Sequence, residues 1–378
     1  MYSRIIRPPS KKSFFLFGPR GTGKTTWLKT NFPKAVYVDL LEAELFNDLL
    51  ANPSRIEQLI PPDFKNYIII DEVQRVPALL NEIHRLIEKQ KLKFILTGSS
   101  ARKLYHRGTN LLAGRALTFH LYPLTAAELG RDFSLKHSLA FGHLPSTFNE
   151  NNPKKYLESY VMTYLEQEIQ QEGVTRNLGA FSRFLEAASF SQGSILNVSE
   201  VARECAVHRK SVENYFSILE YLMIARKLPL FSKRAKRRLL AHSKFYFFDV
   251  GVYRTLRPSG PLDAPEEIEG IALESLVLQE LIAMNDYHGW NYKLSFWKTQ
   301  TGNEVDFVLH GSKGFFGMEI KRTSKILYHH LKNLKIFLKD YPQAKGLILY
   351  GGTRKLWEGN IQIVPVADFL ANMEQYIK

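Results

Sequence analysis

The sequence holds a single cysteine, Cys205, in 378 residues. That excludes an internal disulfide and any cysteine-cluster metal site, and it fits a reducing, cytoplasmic setting. No stretch approaches the roughly 20 apolar residues of a spanning helix, so no membrane partner is expected. The apolar run Phe14–Phe17 is too short for the core of a signal peptide. There is no internal repeat and no low-complexity tract. Acid is scarce: 51 Lys and Arg against 37 Asp and Glu leave a formal net charge of +14. A surplus of that sign suits nucleic acid or another acidic partner. Against these absences, 45% hydrophobic and 23% charged residues are the composition of a soluble globular protein. The length exceeds one ordinary core, so two or three domains are expected.

The chain is organised around Phe14–Thr26. Four apolar residues are followed by G-x-x-x-x-G-K-T and then by a helical pattern. The apolar run reads as a buried parallel strand. The glycines let backbone N–H groups turn inward around a phosphate, and the next helix aims its N-terminus at the same place. Gly18, Pro19, Arg20, Gly21, Thr22, Gly23, Lys24, Thr25 and Thr26 are therefore the expected nucleotide-binding residues. Lys24 reaches the β- and γ-phosphates, and the Thr25 hydroxyl sits on Mg²⁺. ATP and Mg²⁺ are the expected cofactors.

Further on, Tyr67–Glu72 is an apolar strand ending in two acids, a Walker B pattern. Asp71 would hold the Mg²⁺ shell, and Glu72 would orient and deprotonate the attacking water. An amphipathic helix over Pro77–Lys89 and a strand over Lys93–Thr97 lead to Ser99. That hydroxyl reads either as a γ-phosphate sensor at a strand end or as part of a Ser/Gly turn. Arg115 reads either as an arginine finger, in cis or across a subunit interface of a homo-oligomer, or as an ordinary surface residue.

The strings FGPRGTGKTT, IIIDEVQRVP, LTGSSARKL, LAGRALTFHLYPLT and GHLP resemble the prokaryotic AAA-type P-loop ATPases that carry a carboxy-terminal domain of unknown function. The resemblance spans nearly the whole chain. It implies an ATPase core of the additional-strand class, with catalytic Glu72 beside Asp71.

Residues 131–152 are mixed and turn-rich, and a domain boundary is placed there. Lys154–Glu172 reads as a helix whose tyrosines at i, i+4 spacing fit a core face better than a base-stacking face. Asn197–Leu222 reads as helix-turn-helix, with Ser199 capping the first helix. His208, Arg209, Lys210 and Ser211 then open a recognition helix or, alternatively, one half of a packing hairpin. Eight Lys or Arg and no acid lie between Arg226 and Lys244, flanked by two apolar runs. A hairpin with such a tip reads as the wing of a winged helix bound to a polyanion, or as a solvated tip.

In the last third, Glu269–Ala283 reads as a helix containing Glu274. Glu304–His310 and Phe315–Arg322 read as a hairpin with Gly311 and Gly314 at its turn. Side chains alternate along strands, so Asp306, Glu319 and Lys321 can converge on one face. Asp306 and Glu319, completed by Glu274, would hold Mg²⁺, and Lys321 would stabilise the nucleophile or the developing charge. The D-x12-E-x-K pattern after a helical Glu resembles the PD-(D/E)XK nuclease-like fold, with Val305 where that motif has Pro. The resemblance implies the fold and leaves activity open.

The expected fold class is α/β. A P-loop AAA-type ATPase domain over 1–130 precedes a helical and winged-helix region over 131–262 and a nuclease-like α/β domain over 263–378. The expected function is Mg²⁺-dependent ATP hydrolysis in association with DNA, with a metal-dependent nuclease module. The alternatives are an ATP-dependent switch or scaffold whose last domain binds without cutting, and an energised protein-remodelling factor.

Overall fold

The structure, a computed structural model, describes residues 2–9, 11–99, 112–165, 178–232, 243–261 and 263–377. It divides into two compact units. One is Arg4–Pro123 with Tyr221–Met223; the other contains Leu124–Glu220 and Ile224–Lys378.

The first unit is a parallel sheet with strand order β2-β3-β4-β1-β5. Its strands are β1 (Ser13–Phe17), β2 (Val36–Asp39), β3 (Tyr67–Asp71), β4 (Lys93–Gly98) and β5 (Ala116–His120). Helices α1 (Lys24–Asn31), α2 (Ala43–Ala51) and α3 (Leu79–Gln90) make the connections. Every residue of β1 and β3 is buried, as continuous apolar runs in a sheet covered on both faces should be. The edge strands β2 and β5 are only partly buried. Strand β4 lies between the strand that leads into the glycine loop and the strand that ends in Asp71. That is the additional-strand arrangement the sequence implies.

The second unit takes up the chain from Leu124, and residues 131–152 belong to it. They carry α5 (Leu135–Phe141), which follows the short α4 (Ala126–Leu129). The helix expected over Lys154–Glu172 is α6 (Pro153–Ser159) continuing into a π turn, Tyr160–Leu165; residues 166–177 lie outside the described residues. Tyr160 is buried, in line with a core face.

Next come α7 (Leu178–Ser189), α8 (Val198–Glu204) and α9 (Arg209–Tyr221). The cap of α8 is Asn197, whose side chain accepts from Glu200 N, and not Ser199. Asparagine two residues earlier does the same work, because either oxygen can satisfy a first-turn N–H. Val201, Ala202, Val212, Tyr215 and Leu219 make a buried seam, while His208, Arg209 and Lys210 are exposed. Strands β6 (Ala225–Leu228) and β7 (Lys244–Phe247) pair antiparallel. The basic residues Lys233, Arg234, Lys236, Arg237 and Arg238 lie outside the described residues.

Helix α10 (Val250–Leu256) and the long α11 (Pro265–Tyr287) lead to a six-stranded mixed sheet, order β12-β13-β11-β10-β9-β8. Its strands are β8 (Lys293–Lys298), β9 (Glu304–Gly311), β10 (Gly314–Lys321), β11 (Lys345–Tyr350), β12 (Leu356–Glu358) and β13 (Ile361–Pro365). Gly311 pairs with Gly314 at the β9–β10 turn, as expected. Helices α12 (Lys332–Asp340) and α13 (Val366–Ala371) complete the unit. The last helix stops at Ala371 and gives way to a short 3-10 turn.

Candidate active site

Around the glycine loop, Gly21 and Gly23 have φ of +83° and +90°, which only glycine adopts cheaply. Thr22 is buried, and its Oγ1 donates to the Pro19 carbonyl at 2.9 Å. Arg4 braces the loop from outside, donating to the carbonyls of Thr22 at 3.0 Å and Tyr122 at 2.5 Å. The buried Lys24 ammonium donates to the Gly18 and Pro19 carbonyls at 2.7 and 3.1 Å, which holds it over the loop.

Thr25 Oγ1 donates to Asp71 Oδ2 at 3.0 Å, and the Tyr37 hydroxyl donates to the same oxygen. Burial and the Asp71 carboxylate push the Tyr37 phenol well up, so that proton stays in place. Thr25 and Asp71 thus offer two hard oxygens side by side. That fits Mg²⁺, which retains waters and takes phosphate oxygens for the rest of its shell.

Glu72 stands one residue past β3 in the left-handed region, φ 58°. Its backbone N–H donates to Asp71 Oδ1 at 3.1 Å, and Gln74 Nε2 donates to its carboxylate. Gln74 Nε2 also lies 3.5 Å from Ser99 Oγ, at the carboxyl end of the neighbouring strand. A Cβ on Gly98 would stand 2.0 Å from Gln74 Oε1, so the glycine of the TGSS string makes room for that glutamine. The sequence reading left Gln74 without a role. Its signal was the spacing: two residues after Glu72, on a turn that returns toward it.

Arg115 is not brought to this loop. It is exposed and pairs with Glu88, near the end of α3. Ala116 stands beside Ser13, so Arg115 lies at the amino ends of the strands, opposite the glycine loop. Within one chain this position matches the surface reading of Arg115 and not a finger in cis.

In the second unit Lys244 stands between Glu274 and Glu304, Tyr246 reaches Glu274, and Lys321 reaches Glu319. Asp306 Oδ2 accepts from Ile320 N–H at 2.7 Å, and Lys321 donates to Glu319 Oε2 at 2.8 Å. Glu319 Oε1 is buried without a hydrogen-bond partner among the described residues. Lys244 Nζ lies 3.1 Å from Glu274 Oε1 and 2.6 Å from Glu304 Oε1, and the Tyr246 hydroxyl donates to Glu274.

Burial, then the charge of Asp306, push both Glu274 and Glu319 above the usual carboxylate range. Lysines 244 and 321 only partly offset this. Burial works against the charge on Lys244, but Glu274, Asp306 and Glu304 outweigh it and hold the ammonium above its ordinary range. Among the described residues, no three or more His, Cys, Asp or Glu side chains are grouped to hold a metal ion. The carboxylates expected to share Mg²⁺ do not fit it as they stand.

A third cluster has the look of a hydrolase triad. His143 Nε2 lies 2.7 Å from Ser138 Oγ, and Nδ1 lies 2.7 Å from the Leu124 carbonyl and 3.1 Å from Glu280 Oε1. All three side chains are buried, and Ser138 Oγ donates to the Ser134 carbonyl at 2.9 Å. No substrate reaches such a serine, so this is a packing network. It also accounts for the GHLP string: His143 N donates to Asp249, and Gly142 at φ +67° leaves room for that carboxylate.

Residues 10–130 match a family model described as an AAA domain. Residues 132–263 and 269–369 match two models described as domains of unknown function. The first segment is thus a P-loop ATPase domain of AAA type. Uncharacterized proteins of Mycobacterium tuberculosis and Mycobacterium bovis are each 27% identical to the chain, over 90% of it and 76% of their own length. One of Haemophilus influenzae is 21% identical over 93% of the chain and 88% of its own length. Among solved structures, the ADP form of the Aeropyrum pernix ORC2 protein is 14% identical, with a TM-score of 0.31. It covers 70% of this chain and 89% of its own. The ORC1 protein of the same organism, in complex with DNA, is 15% identical with a TM-score of 0.24, covering 66% and 87%. Scores at this level fall short of a shared overall fold. No helix among the described residues is long and apolar enough to cross a membrane.

Proposed function

We propose that the chain is a cytoplasmic, Mg²⁺-dependent ATPase that works on DNA. One observation carries the ATPase reading: Lys24, Thr25, Asp71, Glu72 and Ser99 stand at the carboxyl ends of three adjacent parallel strands. Lys24 leaves the loop carbonyls to bind phosphate oxygens. Thr25 and Asp71 would hold Mg²⁺, which when bound spreads the charge of the β- and γ-phosphates. Glu72, steadied by Gln74, takes a proton from water, and Ser99 senses the γ-phosphate end of that network. Any part played by Arg115 comes from a neighbouring copy in a homo-oligomer, because its own strand carries it to the far end of the sheet.

DNA association is supported by the charge of +14 and by the exposed His208, Arg209 and Lys210 at the start of α9, in a winged-helix reading of α8, α9, β6 and β7. The basic count of the wing is smaller than its sequence suggests. Lys227 pairs with Glu220 at 2.7 Å, and Lys244 is turned into the carboxylate cluster. Affinity for duplex DNA of unrelated sequences should fall by about 10- to 1,000-fold between roughly 50 and 200 mM salt, as several phosphate contacts require. Fluorescence anisotropy measures this, and an affinity indifferent to salt would remove DNA from the account.

For the last domain two readings compete: a PD-(D/E)XK-like module that cuts, through Asp306, Glu319 and Lys321, and a switch or scaffold that binds without cutting. The second is favoured by the ion-paired state of its carboxylates.

A further inference from the structure

The carboxylate cluster of the second unit carries its own cation. Lys244 closes a basic stretch of sequence, yet it is buried in a strand where every side chain is buried. Its Nζ is held between Glu274 and Glu304, from α11 and β9. The other Glu304 oxygen is taken by Lys298 at 2.8 Å. The Tyr246 hydroxyl donates to the same Glu274 oxygen, Oε1, that Lys244 holds. Asp306 is bound to a backbone N–H, and Glu319 to Lys321.

A hard divalent ion needs several oxygens free to turn toward one point. Here both Glu304 oxygens are held by ammonium groups, and Glu274, Asp306 and Glu319 each commit one oxygen to an ammonium, an O–H or an N–H. An incoming dication would also meet the charge of Lys244 at close range, where a partly buried setting strengthens repulsion.

We infer that Lys244 is the resident cation of this site: its ammonium bridges Glu274 and Glu304 and closes the cluster to divalent metal. The inference rests on the reading in which the last domain binds without cutting, and it names what keeps that domain from cutting. It also explains why the strand after the basic segment starts with a buried lysine. An apolar residue there would leave Glu274 and Glu304 facing each other with no counter-charge between them.

The test is Mn²⁺ binding, followed by electron paramagnetic resonance, to the nucleotide-free full chain. Wild type, Asp306→Asn, Lys244→Arg, Lys244→Ala and the double variant Lys244→Ala/Asp306→Asn are compared. Wild type, Asp306→Asn and Lys244→Arg should bind Mn²⁺ alike, because any ion at Thr25 and Asp71 is common to all. Lys244→Ala should gain one site, at least tenfold tighter, that the double variant loses.

A wild-type Mn²⁺ site that disappears in Asp306→Asn overturns the inference. So does a folded Lys244→Ala chain with wild-type binding. If Lys244→Ala does not fold, the comparison of wild type with Asp306→Asn still decides. DNA cleavage in the same preparations separates the two claims. Metal-independent cleavage lost in Asp306→Asn would sink the non-cutting reading and leave the Lys244 assignment standing. An Asp306-dependent Mn²⁺ site without cleavage would do the reverse.

Discussion

Glu72→Gln is expected to leave Mg-ATP binding within about twofold of wild type and to slow turnover by roughly 100- to 1,000-fold. The substitution keeps size and shape. Gln74 still has an oxygen to donate to, and the Asp71 Oδ1 contact is to the backbone N–H, which does not change. Only the capacity to take a proton is lost. The left-handed backbone at Glu72 makes the position worth testing. A non-glycine residue there costs about 1–3 kcal/mol, and a site that tolerates such strain needs a reason. Setting the acid one step beyond the strand, beside Asp71 and toward Gln74, is a reason. Turnover at the wild-type rate in Glu72→Gln would remove Glu72 as the base. Loss of ATP binding would make it structural.

The second large effect is on stability. Gly251→Ala should destabilise the second unit by about 3–5 kcal/mol, a drop in Tm of roughly 6–20 °C. A Cβ at Gly251 would stand 2.2 Å from the Phe141 carbonyl oxygen, 2.4 Å from its carbon and 2.9 Å from Gly142 N. All three are backbone atoms, so no rotamer change relieves the clash. The displaced segment also carries Asp249, which caps α10 through Gly251 N and Val252 N and accepts from His143 N at 2.7 Å. Shifting one strains all of these. Gly270→Ala is the control: it lies inside α11 with nothing within 4 Å of its Cβ, and should be neutral or raise stability by about 0.5–1 kcal/mol. Equal melting of the two variants, followed by circular dichroism, would refute the close packing of α5 against the start of α10.

The P-loop domain is legible in the sequence because its chemistry is local. Loop glycines, Lys24 and Thr25 are consecutive, and Asp71 and Glu72 end one apolar run. The register of β9 and β10 is legible for the same reason, since alternation and two turn glycines set it. What the sequence hides depends on distant pairing. Lys244 reads as one more charge on a basic tip, because its acids arrive 30 and 60 positions later on other elements. Arg115 follows the Ser99 turn in sequence and so reads as near the nucleotide. Only the pairing of β1 with β5 shows that it lies at the other end. Strands β12 and β13 were missed because β12 is three residues long with every residue exposed, and only Gly359 and Asn360 separate it from β13. Asn197 and Ser199 are both competent caps, and spacing alone does not choose between them.

The most direct test of the central claim is steady-state ATP hydrolysis by the purified full chain, with and without Mg²⁺, beside Lys24→Ala. The account predicts turnover that requires Mg²⁺ and falls at least about 100-fold in Lys24→Ala, because among the described residues no other ammonium is held over the loop carbonyls in its place. Hydrolysis that persists in Lys24→Ala, or that ignores Mg²⁺, would contradict it.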